Sequence, residues 1–279
     1  MAYRLRFTHF IRYLVVSLFG ILMIYPILWL ISSSFKPNMD IFSHPGLIPA
    51  KLTLQNYIQG WKGISGYTFR HFLVNSATIS ILAVIGNVVS CSLAAYAFAK
   101  LDFKFKNFWF AMMLMTLMLP FQVTLIPQYI VFHSLGWVNT FLPLIVPKWL
   151  GVDAFFIMLM VQFIRALPHE LHESAVIDGC GQAQIYFRIV MPLCVPAIIT
   201  TSIFTFYWTW DDFFSQIIYL SHPKLFTVTI GLRALVDASS SSDWGSLMAM
   251  SVVTIAPVII IFLFLQKYIV EGISTTGLK

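Results

Sequence analysis

His71-Phe-Leu-Val-Asn-Ser-Ala-Thr-Ile-Ser-Ile-Leu-Ala-Val-Ile-Gly-Asn-Val-Val-Ser-Cys-Ser-Leu-Ala-Ala-Tyr-Ala-Phe98 contains no Asp, Glu, Lys or Arg, and Lys100-Leu-Asp-Phe-Lys-Phe-Lys106 follows it with three bases. A helix rises about 1.5 Å per residue, so about 20 apolar residues cross the hydrocarbon core of a bilayer. The apolar residues run unbroken instead of alternating, which fits a spanning helix and not a strand of a membrane barrel. Outward from this stretch, similar runs recur near 11–33, 107–130, 142–163, 192–218 and 245–267, so the sequence predicts six spans. The composition agrees, with 59% hydrophobic and 10% charged residues in a chain of 279. Eleven acids and 17 bases are too few to cover a soluble globule of this length. The expected fold class is therefore all-α, a polytopic membrane protein with one transmembrane domain over 1–279, and soluble single-domain enzymes are set aside.

The 17 bases orient the spans. Arg4, Arg6, Arg12, Lys100, Lys104, Lys106, Arg165, Arg188, Lys267 and Lys279 fall on the side of the termini, and the loop 131–141 on the other side has no base. Positive charge collects on the cytoplasmic side, so both termini are expected there. The first run continues to Phe35 without a small-residue cleavage pattern and reads as an uncleaved anchor. The scattered bases form no patch suited to nucleic acid. Cys91, Cys180 and Cys194 have no metal-ligand spacing, and Cys91 and Cys194 read as buried small hydrophobes. The segment Pro37 to Trp61 combines turn formers with a short helix and is too apolar for a free linker. It is expected to pack across the outer mouth of the bundle, while Ser239 to Ser242 reads as an external loop.

Between the fourth and fifth spans, Arg165-Ala-Leu-Pro-His-Glu-Leu-His-Glu-Ser-Ala-Val-Ile-Asp-Gly-Cys-Gly-Gln-Ala-Gln-Ile-Tyr-Phe-Arg-Ile-Val-Met-Pro192 holds three of the 11 acids. Pro168 suits a first helical turn and Glu170 the positive end of the helix dipole. Gly179 sits where a helix would close with a left-handed residue, and Gly181 offers a second swivel. Ile185, Ile189 and Val190 mark a second amphipathic turn that Pro192 stops. The pattern predicts two short helices beside the membrane, joined by a glycine hinge. Small residues at Ser174, Ala175 and Gly179, with Glu173 and Asp178 to orient a contact, describe a docking knob. On the residues alone, a plain connector between two spans fits equally.

Glu173-Ser-Ala-x-x-Asp-Gly179 followed by Ile189-x-Met-Pro192 resembles the EAA loop of ATP-binding-cassette importer permeases, with Ser174 in place of an Ala and Met191 in place of a Leu. Trp210-Asp-Asp-Phe213, Asp243-Trp-Gly-Ser-Leu-Met248 and the tail Gln266 to Lys279 are similar to segments of the maltose-type (MalG-like) permeases of carbohydrate importers. The resemblance covers most of the chain from Phe35 onward. It implies a MetI/MalG-like permease fold in a bacterial inner membrane, forming half of an alternating-access pathway for a carbohydrate, an oligosaccharide. The implied partners are a second, different permease, a pair of cytoplasmic ATPase subunits and an extracytoplasmic solute-binding protein, besides membrane lipid. The chain itself is then a non-catalytic subunit without cofactor, since ATP and Mg belong to the ATPases and no Gly-Lys pair exists here to build a phosphate loop. By the same resemblance Glu173, Ser174, Ala175, Asp178 and Gly179 couple to the ATPase. Thr275, Thr276 and Gly277 either reach between the ATPase subunits or form a plain disordered end.

Two acids in the fifth span are costly, because a carboxylate near the bilayer centre is usually turned to the bundle or to water. Tyr207, Trp208, Trp210, Asp211 and Asp212 form an aromatic and acidic cluster of the kind that contacts sugar rings and hydroxyls. The competing reading is an interfacial belt whose acids pair with a partner. Asn75, Asn87, Gln122, Gln128 and Gln162 either line the cavity or bond across helices, with helix glue preferred. Pro120, Pro127 and Pro257 are expected to kink their helices. The histidines, including His169 and His172, show no metal spacing. The alternative function is a self-contained secondary transporter or channel, which calls for ion-coupling acids in several spans and an inverted repeat. An intramembrane enzyme would need a nucleophile and base or a metal pair on facing helices.

Overall fold

A computed structural model describes residues 2–237 and 243–276. Ser239 to Ser242 and Gly277 lie outside the described residues, as do the side chains of Thr275 and Thr276. The elements in chain order are α1 (Ala2–Ser34), α2 (Asp40–Ser43), α3 (Gln55–Trp61), α4 (Phe69–Lys100), α5 (Lys106–Thr116), α6 (Phe121–Ser134), α7 (Leu142–Ile145), α8 (Ala154–Ala166), α9 (His169–Ile177), α10 (Gln182–Ile185), α11 (Met191–Leu193), α12 (Val195–Trp210), α13 (Phe214–Tyr219), α14 (Val228–Asp237) and α15 (Trp244–Thr276). Short 3-10 turns cover Val146–Leu150 and Pro223–Leu225, a π turn covers Tyr186–Val190, and the described residues contain no strand.

Four stretches are long and apolar enough to cross a membrane: Ile11–Ser34, Phe69–Lys100, Leu142–Ala166 and Trp244–Tyr268. The number is six if each of two bent pairs counts as one span: Lys106–Thr116 with Phe121–Ser134, bent by 101°, and Gln182–Leu193 with Val195–Trp210, bent by 77°. The first bend lies at Pro120, which is extended (ψ 135°) and whose ring cannot continue a helix from the preceding turn. The run near 192–218 is interrupted as well, because α12 ends at Trp210 and Asp211 to Phe213 separate it from α13. Helix α15 continues to Thr276, past the expected start of the tail.

The chain forms two compact units, 1–70 with 231–257, and 71–230 with 258–279. In the first, the segment after α1 folds back on the end of that helix. Lys36 is 1% exposed, and its ammonium donates to the carbonyls of His44 (2.9 Å) and Gly46 (2.5 Å). Asn56 on α3 donates to the carbonyls of Ser34 and Lys36, each at 2.8 Å. Asp243 accepts the backbone N–H and the hydroxyl of Ser246, which holds the first turn of α15.

In the second unit α4 buries a stripe of mainly small residues, Ser76, Ile79, Ser80, Ala83, Asn87, Cys91 and Ala95, at spacings of three and four. Small side chains let neighbouring helices approach, and the Asn87 amide donates to the Thr205 hydroxyl of α12 at 2.8 Å. Asn75 donates to the carbonyls of Lys224 and Phe226, so both asparagines join elements together. Trp149 lies on Gly86, where an added Cβ would meet the indole at 2.3 Å, and its N–H donates to the Leu82 carbonyl. The main core gathers Cys91, Ala95 and Tyr96 of α4 with Phe156, Met160 and Ile164 of α8, Ile185 of α10, Val190 of the π turn, and Ala197 of α12.

Candidate functional site

The loop between α8 and α12 is built from α9, a glycine turn, and the helical stretch Gln182–Leu193. Pro168 caps α9 instead of occupying its first turn, with Glu170 behind it. At the other end Gly179 has φ +79°, its N–H donates to the Val176 carbonyl (3.0 Å), and the Cys180 N–H donates to the Ala175 carbonyl (2.9 Å). This pair of bonds is the Schellman closure, which requires a left-handed residue and so favours glycine. Gly181, expected to be a second swivel, has φ −73° and instead starts α10, its N–H donating to the Gln184 side chain. Pro192 does not stop the second helix either. The helix runs through it to Leu193, and the wider π turn just before it accommodates a residue that lacks an N–H.

Of the five residues expected to couple, Glu173, Ser174, Asp178 and Gly179 are exposed. Ala175 is 5% exposed and packs into the main core, so its Cβ is not offered to a partner; it is small because α9 lies close on the chain's own helices. The outward surface of α9 adds two residues that the sequence reading passed over, Val176 (49% exposed) and Ile177 (85%). Their signal was present, since large aliphatics stand beside Glu173 and Asp178 on a short polar helix. The Ser174 hydroxyl donates to the Glu170 carbonyl (2.7 Å), and His169 Nδ1 lies 3.2 Å from Glu173 Oε1.

The loop is stapled to the spanning helices at several points. Tyr96 donates its hydroxyl to Gln182 Oε1 (2.6 Å), Ser92 and Tyr186 share a hydroxyl bond (2.7 Å), and the Tyr96 and Tyr186 rings meet edge-on. Arg165 donates to the Phe98 carbonyl and lies over the Phe110 ring. His172 Nδ1 is buried without a hydrogen-bond partner. Burial first, then the Lys100 charge and His169, lower the His172 pKa against the opposing pull of Glu173. A depressed imidazole pKa works against the fold on acidification: no penalty exists above the ordinary imidazole value, and one grows as pH falls below it towards the folded value.

A second feature is a cavity of about 330 Å³ whose walls include Phe121, Gln128, Lys148, Asp153, Trp208, Asp212 and Tyr219. Of the five expected pathway residues, it takes Trp208 and Asp212. Tyr207 lines a separate apolar groove with Phe204 and Phe262, Trp210 is buried and stacks on Phe206, and Asp211 is exposed at the end of α12. Lys148 and Asp153, which meet at 2.7 Å, were not singled out in the sequence. They flank the break at Val152 between Leu150 and α8, and a break cannot be seen in an apolar run. Gln128 faces the cavity, whereas Gln122 and Gln162 are exposed.

Spanning helices, an exposed helix on a loop fastened to them, and a polar cavity define a membrane transport subunit. The family described as binding-protein-dependent transport system inner membrane component matches residues 86–275. The chain is 37% identical to the probable ABC transporter permease protein YurM of Bacillus subtilis (94% of this chain, 86% of that one). It is 33% identical to the arabinooligosaccharides transport system permease protein AraQ of Halalkalibacterium halodurans (92% and 91%). Its fold is similar to that of a bacterial ABC transporter involved in the import of the acidic polysaccharide alginate, with a TM-score of 0.82, 19% identity, and 95% and 97% of the two chains covered. The chain belongs to the family of binding-protein-dependent transport system inner membrane components, as a multi-pass transmembrane subunit of an ATP-binding-cassette importer.

Proposed function

We propose that this chain forms half of an alternating-access pathway for an oligosaccharide, paired with a second, different permease and supplied by an extracytoplasmic solute-binding protein. Two cytoplasmic ATPase subunits, which bind ATP and Mg, dock on the exposed face of α9; this chain carries no cofactor and hydrolyses nothing. Both termini face the cytoplasm, and Thr275, Thr276 and Gly277 reach towards the ATPases. The relatives' substrates support the carbohydrate assignment. The observation that carries the docking role is the contrast within α9: Glu173, Ile177 and Asp178 point outward while Ala175 is locked into the core. With Ala175 in the core, and with Gln182 and Tyr186 of the following stretch bonded to α4, ATPase closure is passed on through this loop to the spans.

Glu173→Lys tests this reading. Reversing a charge in a paired contact costs a few kcal/mol, or roughly 10- to 100-fold. With the importer reconstituted in proteoliposomes, ATP-driven uptake is expected to fall by that factor while the permease stays folded. Uptake at the wild-type rate would remove Glu173 from the docking face.

A further inference from the structure

We infer that the cavity bounded by Trp208, Asp212 and Tyr219 accepts an uncharged glycan and turns away uronate-bearing or otherwise anionic ones, with Asp212 setting that selection. This inference rests on the pathway reading above and adds the charge class of the cargo. The cavity's cation, Lys148, is paired with Asp153 at 2.7 Å, so its charge is already offset and attracts a substrate carboxylate less than a lone ammonium would. The acid that remains is not neutralised: Asp212 Oδ1 accepts the Ser215 backbone N–H at 3.0 Å, and Asp212 forms no ion pair among the described residues. A third observation points to a ligand directly. Tyr219 is 2% exposed and on the cavity wall, yet its hydroxyl has no hydrogen-bond partner among the described residues. A buried hydroxyl without a partner is costly, and a sugar hydroxyl would supply one. The second oxygen of Asp212 accepts from another sugar hydroxyl, and the Trp208 indole offers a flat face to the ring. The same carboxylate that accepts from neutral hydroxyls repels an anion in a site of reduced dielectric.

The test is calorimetric titration of the complete permease and ATPase complex, without the binding protein so that its own selectivity does not enter, using arabinotriose and trigalacturonate as probes. The wild-type complex is expected to favour the neutral trisaccharide by about tenfold or more, the scale of one uncompensated like charge. Asp212→Asn keeps the Oδ1 acceptor for Ser215 and is expected to bring the two affinities to within about threefold, because the repulsion is gone. Tyr219→Phe keeps the ring and is expected to weaken arabinotriose by about three- to tenfold, the worth of one hydrogen bond. Equal affinity for the two probes in the wild type, an unchanged ratio in Asp212→Asn, or no binding of either probe would overturn the inference. ATP-driven uptake of saccharides by the full importer is read separately: uptake of a saccharide alongside equal affinity of the permease and ATPase complex for the two probes sinks the inference alone, whereas no uptake of any saccharide sinks the function it rests on.

Discussion

Gly179→Pro is expected to abolish most ATP-driven uptake while the complex still assembles. Gly179 has φ +79°, and nothing lies within 4 Å of the Cβ position, so the constraint is conformational and not steric. Proline is held near φ −65° and has no N–H, so it can neither adopt this turn nor donate to Val176. Misplacing the turn costs about 3 kcal/mol or more, which must come from the seating of α9. Uptake should drop by roughly 100-fold on that scale. Alanine tolerates the left-handed region at a cost of about 1–2 kcal/mol and should fall between, while asparagine, which enters that region more readily, should keep the most activity. Wild-type uptake in the proline variant would mean that the loop transmits nothing.

Asn56→Leu is expected to give the largest loss of stability. Asn56 is buried and supplies the only side-chain donor described for the Ser34 and Lys36 carbonyls. Leucine would leave both acceptors buried without a partner, at about 1–3 kcal/mol each. In detergent the thermal midpoint should fall by about 5 °C or more, using the size scaling for chains of this order. Gly245→Ala offers a check on the same contact, because its Cβ would meet Asn56 Oδ1 at 2.3 Å. Combined with Asn56→Ala, that clash disappears, so the double variant should lose less than the sum of the single variants. Strict additivity would show that the contact does not govern this region.

Long apolar runs made the helical class legible, since a backbone in lipid must satisfy its own hydrogen bonds. The glycine at 179 was legible for a related reason: a left-handed closure restricts the residue type and leaves a mark on the sequence. The interruptions were harder to see. The bend at Pro120 had a proline to mark it, but Asp211 to Phe213 and the break at Val152 are apolar or acidic stretches that hydropathy reads as continuous. Ala175 shows a different limit. A small residue permits close approach from either side, and only the burial of Ala175 in the main core tells which side is used. Lys148 and Asp153 were invisible as a pair because their meeting depends on that unseen break.

The buried ammonium of Lys36 has a consequence for chemical labelling. Lys51 and Lys62 are exposed and should react readily with an amine-acylating reagent, whereas Lys36 is enclosed by the carbonyls of His44 and Gly46. Its acylation must wait until the turn from Pro37 to Gly46 opens, so the rate at which Lys36 is modified is a clock for that opening.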